Sequence, residues 1–147
     1  MLIRSPETAD DIRALVPLFD AYRVFYEAAS DTAGAQKFLY DRWRLHESVL
    51  FIAYDAGAPQ GFVQLFPVFS SVDMQRIWIL NDLFVQPSNR RSGIGRALVR
   101  RAEQHARDTG SAGLTLSTAS DNASAQALYE SERYARDSVF CVYNRVL

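Results

Sequence analysis

The sequence predicts a single α/β domain over residues 1–147: a mixed, mostly antiparallel sheet flanked by helices, in the order β-α-α-β-β-β-α-β-α-β. Three observations predict it. Apolar residues recur at helical spacing in some stretches, they run together or alternate at strand spacing in others, and glycine, proline, asparagine and aspartate punctuate the joins. A chain of 147 residues has one-domain length and buries roughly 70% of its unfolded surface, so it needs no covalent staples.

Ile3 belongs to a short first strand. Thr8 reads as an N-cap, with Asp10 and Asp11 in the first turn, where carboxylates favour the positive helix end. Ile12, Leu15, Val16, Phe19, Tyr22 and Tyr26 then recur at helical spacing, and Pro17 inside that pattern predicts a kink. Ser30-Asp31-Thr32 breaks the chain before a second helix over 33–47. Val49 to Tyr54 is a strand, Asp55 to Pro59 a turn, and Gly61 to Phe66 the next strand, with Pro67 near its end. A turn around Ser70 to Asp73 leads into a long strand, Ile77 to Val85, which Pro87-Ser88-Asn89 stops. Ile94, Leu98, Ala102 and Ala106 form the stripe of an amphipathic helix that Gly110 ends. Leu114 to Thr118 is a strand, Ala123 to Glu130 a short helix, and Val139 to Val146 a final strand.

Composition narrows the function classes. Sixteen basic and seventeen acidic residues give a net charge of −1, which makes no electrostatic case for nucleic acid or a membrane surface. The lone cysteine, Cys141, excludes a disulfide framework, and with only His46 and His105 no metal site is expected. The opening Met1-Leu2-Ile3-Arg4-Ser5-Pro6 has no long apolar core of a signal peptide, and no apolar run reaches the roughly 18 residues of a membrane span. A cytoplasmic protein is expected.

The most informative stretch is Val85 to Leu98, where a strand ends, a loop turns and Gly93 and Gly95 open a helix. Unpaired N–H groups at that helix start point into the loop, and the dipole there favours an anion. Glycines let a phosphate approach the backbone with no Cβ in the way, and Arg90, Arg91 and Arg96 add positive charge. A P-loop needs Lys-Ser/Thr where Arg96-Ala97 stand, and a dinucleotide fingerprint needs a small residue at Leu98. On these residues alone, a diphosphate-bearing cofactor and a plain helix-opening turn both stay open.

Arg90-x-x-Gly93-x-Gly95, after a strand ending Asp82-Leu83-Phe84-Val85, resembles the coenzyme A pyrophosphate loop of GNAT acetyltransferases. Asn122-x-x-Ala125-x-x-Leu128-Tyr129-Glu130 resembles that family's next motif, with Tyr129 standing 36 residues after Gly93. The resemblance is strongest from Arg76 to Tyr134, and Leu80 to Val85 is similar to the polyamine and small-amine acetyltransferases and to relatives that act on histones. It implies a GNAT-type domain that uses acetyl-coenzyme A. It implies further that the backbone amides of Arg91, Ser92, Gly93, Ile94, Gly95 and Arg96 hold the pyrophosphate, with Arg90 beside them. Leu83, Phe84 and Val85 would pair through their backbone with the pantetheine arm, one amide stabilising the thioester oxygen. Asn122 would contact the cofactor arm, and Tyr129 would protonate the departing thiolate; at seven residues' separation the two can share one helix face. A core aromatic is the other reading of Tyr129. Arg91 and Arg133 stand where the family often has glycine, which puts the loop geometry and the exit from the tyrosine helix in question.

Asp82 is the second catalytic candidate. Strand alternation puts Leu80, Asp82 and Phe84 on one face and Ile79, Asn81 and Leu83 on the other. A carboxylate in that apolar company is costly to bury unpaired. An amine substrate, protonated with a pKa of about 10.4, would pair with it and lose its proton to it. A salt bridge with an arginine such as Arg76 is the structural alternative. Charge adds a hint: Arg90 to Arg107 holds six arginines against Glu103, whereas residues 1–60 hold nine acids and six bases. In the fold resembled, the first two helices wall the acceptor side, so Tyr22, Tyr26, Glu27 and Asp31 make a cation-friendly rim, or else solvated helix surface. The expected partners are a small amine or polyamine and, among assemblies, a homodimer. Acetylation of protein lysines or N-termini and a non-catalytic acyl-coenzyme A sensor are the competing functions.

Overall fold

Three long apolar stretches with strand propensity and two short ones pair into one five-stranded sheet, ordered as they follow in the chain. The structure, a computed structural model, describes residues 1–147. In chain order the elements are β1 (Leu2–Arg4), α1 (Ala9–Phe25), α2 (Thr32–Arg44), β2 (Val49–Asp55), β3 (Ala58–Ser70), β4 (Gln75–Val85), a 3₁₀ turn (Pro87–Asn89), α3 (Ile94–Asp108), β5 (Leu114–Thr115) and α4 (Ala123–Ser131). The first four strands pair antiparallel and β5 joins β4 in parallel, so the sheet is mixed and mostly antiparallel. The chain divides into two compact units, residues 1–117 and 118–147. No helix is long and apolar enough to cross a membrane.

In the first unit each sheet face has its own cover. Leu50, Ile52 and Tyr54 of β2, Phe62 of β3 and Phe84 of β4 form one core with Ile12, Leu15, Phe19, Ala35 and Leu39 of α1 and α2. The opposite face meets α3, whose stripe of Ile94, Leu98, Ala102 and Ala106 is buried as its spacing predicts. Gly61 permits that approach: a Cβ there would stand 3.1 Å from Ile94 and 3.2 Å from Leu98.

Several boundaries move, each for a local reason. Asp55 pairs with Ala58, leaving Ala56 and Gly57 as a two-residue hairpin with φ of 47° and 81°, shorter than the expected turn. β3 runs past Pro67 to Ser70; β2 stops pairing at Leu65, so Pro67 sits where one flank of β3 is an edge. Pro17 lies inside α1, which continues through it to Phe25. α2 ends at Arg44 because His46 turns left-handed, and the N–H of Glu47 closes on the Arg42 carbonyl. β5 covers two of the five expected residues. The final strand expected over 139–146 does not form: residues 135–147 are exposed and no backbone group there joins a ladder. Strand propensity needs a paired neighbour, and that segment has none in the chain.

The largest correction concerns β4. Gln64 lies opposite Asp82 but Leu65 lies opposite Leu80, so Asn81 is the extra residue of a β-bulge. Strict alternation across Leu80 and Asp82 therefore fails. Trp78 and Leu80 share the α3 face, where Trp78 meets His105 at 4.9 Å, while Asp82 and Phe84 look toward α1 and α2.

Candidate active site

The end of β4 and the start of α3 are joined by the arginine- and glycine-bearing loop. The N–H of Asn89 closes on the Gln86 carbonyl, and Ser92 Oγ donates to the Asn89 carbonyl at 2.5 Å, which ties the loop to itself. Gly93 is the N-cap of α3 in a left-handed conformation, φ 88°, with no side-chain cap and no acidic residue in the first turn. α1, α2 and α4 instead use Thr8, Asp31 and Asn122 as side-chain caps. The first N–H groups of α3 thus have no side-chain cap, and the helix dipole there favours an anion. Nothing lies within 4 Å of where a Gly93 Cβ would stand, so the approach to that backbone is open. Arg91 adopts φ 64°, the conformation a glycine would take. The loop geometry is therefore kept, at a backbone cost of about 1–2 kcal/mol. This cradle fits a diphosphate.

Arg90 behaves differently from a solvated phosphate ligand. Its Nε donates to the Val85 carbonyl at 3.3 Å, and its guanidinium lies over Phe84 and Phe25, 5.6 and 5.5 Å from the ring centres. It clamps the loop root to β4 and α1.

The edge of β4 beside that clamp is unpaired. β5 meets β4 only at Trp78 and Ile79, so Leu80 to Val85 has a strand partner on the β3 side alone. The N–H of Gln86 donates to the Gln60 carbonyl at 2.8 Å, which sets the phase of the ladder. Phe84 therefore directs its main-chain groups to Phe62, and Leu83 and Val85 direct theirs to the open edge. An extended amide-bearing chain fits there as a surrogate strand.

Asp82 is 4% exposed and faces α1 and α2. Gln64 Nε2 donates to Oδ2 at 2.6 Å, and Asn81 Nδ2 donates to Oδ1 at 2.9 Å. Ser48 Oγ donates in turn to Gln64 Oε1 at 2.9 Å, and Gln64 is wholly buried. Both donors to the carboxylate are neutral amides. Arg76, the structural partner considered for it, stacks instead over Phe69 and Trp78, at 5.4 and 5.3 Å. Sequence reasoning missed Gln64 and Ser48. The available signal is Gln64 itself, the one polar residue in the run Phe62 to Phe66.

The expected rim lies in the α1–α2 turn. Tyr26 is half exposed and stacks edge-on against Tyr22 and Phe25, which in turn lie 6.0 and 6.2 Å from Phe84. Glu27 takes φ 64° to close α1, and its carboxylate is exposed. Asp31 Oδ1 accepts the Gly34 N–H at 2.8 Å, so that carboxylate caps α2. Tyr26 and Tyr22 thus stand beside the Asp82 strand, while Asp31 has a structural task already.

In the second unit Asn122 is the N-cap of α4, its Oδ1 accepting the Ala125 N–H at 3.1 Å. It stands one residue before the helix, so the expected two-turn alignment with Tyr129 is only approximate. Tyr129 is 8% exposed and packs against Tyr134 with ring centres 5.8 Å apart. Arg133 takes φ 69° where a glycine was the expected residue. The N–H groups of Arg133 and Tyr134 close on the Glu130 and Tyr129 carbonyls, each at 3.0 Å. The chain thus leaves this helix as it would through glycine.

The family model described as the acetyltransferase (GNAT) family matches residues 15–133, across both units. An uncharacterized N-acetyltransferase of Bacillus subtilis, YhfO, is 48% identical over 143 residues, covering 97% of this chain and 95% of its own. A probable acetyltransferase of Haemophilus influenzae is 42% identical over 94 residues, 63% of this chain and 64% of its own. Among solved structures, the crystal structure of a probable acetyltransferase matches with a TM-score of 0.94 at 38% identity, covering 100% of this chain and 98% of that one.

Proposed function

The chain belongs to the GNAT acetyltransferase family, whose members take the acetyl group from acetyl-coenzyme A, and we propose that this one delivers it to the primary amine of a small cationic acceptor such as a polyamine. The observation that carries this reading is Asp82. A carboxylate 4% exposed, held only by neutral amides and turned toward α1 and α2, is incompletely compensated for burial. An ammonium group is its complement, and the rings of Tyr22, Tyr26 and Phe84 nearby favour a cation.

On this reading Asp82 binds the ammonium and takes its proton, directly or through water, freeing the lone pair that attacks the thioester. An outward N–H of Leu83 or Val85 donates to the thioester oxygen as charge builds there. The α3 N-terminus and the loop from Arg91 to Arg96 hold the pyrophosphate, with Arg90 clamping the loop root. Asn122, its oxygen engaged in the cap, offers its amide to the cofactor arm, and Tyr129 gives a proton to the leaving thiolate. The cytoplasm is the compartment that goes with this chemistry. Protein acetylation has no specific observation in its favour.

A panel of amines with acetyl-coenzyme A, read by thiol release, tests the proposal. Asp82→Asn should lower kcat/KM for the best amine by about 10²-fold or more while leaving acetyl-coenzyme A affinity unchanged. Tyr129→Phe should lower turnover roughly 10²-fold near neutral pH, less as pH rises past the thiol pKa of about 8.5. Unchanged kinetics for Asp82→Asn across the panel would return that residue to a structural role and remove the cationic acceptor.

A further inference from the structure

We infer that the acceptor has an apolar body: the chain takes a primary monoamine whose alkyl or arylalkyl group lies along the sheet beyond Asp82, in preference to a diamine or polyamine. That choice rests on the amine reading proposed above and narrows it to acceptors with one charge.

The sheet face that carries Asp82 continues past it. On β3, Phe62 belongs to the core with α1 and α2 and Gln64 reaches Asp82, so alternation brings Phe66 and Val68 to the same face. On β4, Trp78 meets His105 of α3, so Ile77 and Ile79 turn the other way. The register agrees, for it sets Phe66 opposite Ile79 and Val68 opposite Ile77. These side chains form an apolar stripe that begins at the Gln64–Asp82 pair and runs roughly 13 Å along β3 to Val68. Phe66, Val68, Ile77 and Ile79 are all half-buried, whereas Leu65, Trp78 and Leu80 on the opposite face of the same stretch are 3% exposed or less. The buried core under α1 and α2 includes nothing of β3 after Phe62 and nothing of β4 before Phe84. The stripe is therefore incompletely covered, and it is continuous with the carboxylate that binds the ammonium. A ligand held at Asp82 gains most by laying apolar surface there.

Charge argues against a second ammonium. From the Gln64 pair to the Val68 pair, Asp82 is the sole ionisable residue on this face. The next pair on it is Ser70 and Gln75, and the next acid along the hairpin, Asp73, accepts the Ser70 hydroxyl at 2.8 Å in the turn. Glu47, beside Ser48, has Arg42 as its counter-ion. A diamine anchored at Asp82 would therefore set its distal ammonium over Ile79 or Ile77, where it loses water and meets no carboxylate. An alkyl or aryl group loses nothing there.

The test compares hexylamine with 1,6-diaminohexane as acceptors for the full chain and acetyl-coenzyme A, read by thiol release. The two share one carbon chain and differ only in the distal ammonium. Hexylamine should have the higher kcat/KM by about tenfold or more. Across ethylamine, butylamine and hexylamine, kcat/KM should rise roughly threefold per methylene. Ile77→Glu supplies the missing countercharge on half-buried ground, and it should shrink or reverse the preference for hexylamine, with circular dichroism confirming the fold. If that variant does not fold, the wild-type comparison decides alone. A diamine used as well as hexylamine, or a flat chain-length series, would overturn the inference and leave the cationic acceptor standing. Turnover with none of these amines would overturn both. A folded Ile77→Glu that keeps the full preference while its mass by light scattering changes would give the stripe to a protein partner, and the inference would fall.

Discussion

At the level of single residues the proposed function needs Asp82 correctly held rather than merely present. Gln64 is what holds it. Its amide is fixed from behind by the Ser48 hydroxyl, so one rotamer aims Nε2 at the carboxylate. Gln64→Leu keeps roughly the same volume and deletes both bonds, leaving Ser48 and Asp82 with unmet hydrogen-bonding capacity at about 1–3 kcal/mol. We therefore expect the variant to fold with reduced stability, to bind acetyl-coenzyme A normally, and to lower kcat/KM for the amine as Asp82 loses its positioning. A thermal melt and steady-state kinetics check this; unchanged kcat/KM in a destabilised variant would show that Gln64 only packs. The carboxylate itself was legible in the sequence as a charge amid apolar residues. Asn81, its neighbour, lay in view, but Gln64 and the Ser48 that fixes it did not, because they come from β3 and from the entry to β2, 18 and 34 residues earlier in the chain.

Among the elements, the helix ends carry the most information. Glu27, His46 and Arg133 close α1, α2 and α4 in the left-handed region, and only α3 uses a glycine, Gly110. The sequence rule that reads glycine as a stop therefore worked for one helix in four. At the other end the sequence named one cap, Thr8, whereas Asp31, expected in the acceptor rim, and Asn122, expected at the cofactor arm, also accept an N–H. The uncapped start of α3 is the exception, and on the proposed function it holds the pyrophosphate. Gly93 has φ 88° and open space above it, so Gly93→Val both strains the turn and covers the first N–H groups. In the wild type, acetyl-coenzyme A at a hundredfold excess over its Kd should raise stability by about 2.7 kcal/mol. Gly93→Val should lose most of that gain, which melting with and without the ligand will show. An equal gain in both proteins would move the pyrophosphate elsewhere.

Taken whole, the fold's response to pH separates into two windows. Arg4 grips Asp11 through two hydrogen bonds, 2.6 and 3.1 Å, which hold that carboxyl well below its usual range. Its contribution is present above an unfolded pKa of about 3.9 and is lost as pH falls further. His105 acts at higher pH. Burial between Phe51 and Trp78 lowers its pKa, and the charges of Arg101 and Arg76 reinforce that against Asp108. The folded protein thus keeps the ring neutral while the unfolded chain takes up a proton below about pH 6.5. Stability should decline as pH falls from about 6.5 toward 5, and His105→Phe, which keeps the aromatic contacts, should flatten that decline. Chemical denaturation at a series of pH values decides it; an identical slope in the variant would assign the decline to other groups.

What the sequence alone determined is what neighbouring residues encode among themselves: the helices from their 3.6-residue stripe, the strands from their apolar runs, the glycine loop between β4 and α3, and the family from two motifs at fixed spacing. Those signals survive because capping, turn geometry and motif spacing are short-range. Tertiary structure alone decided which face Asp82 occupies. Alternation assigns faces only while the register is regular, and the bulge at Asn81 reverses every assignment beyond it. The same limit explains the C-terminal segment. Its residues are those of a strand, but a strand exists only where another backbone takes up its hydrogen bonds, and no residue within the segment can supply that partner.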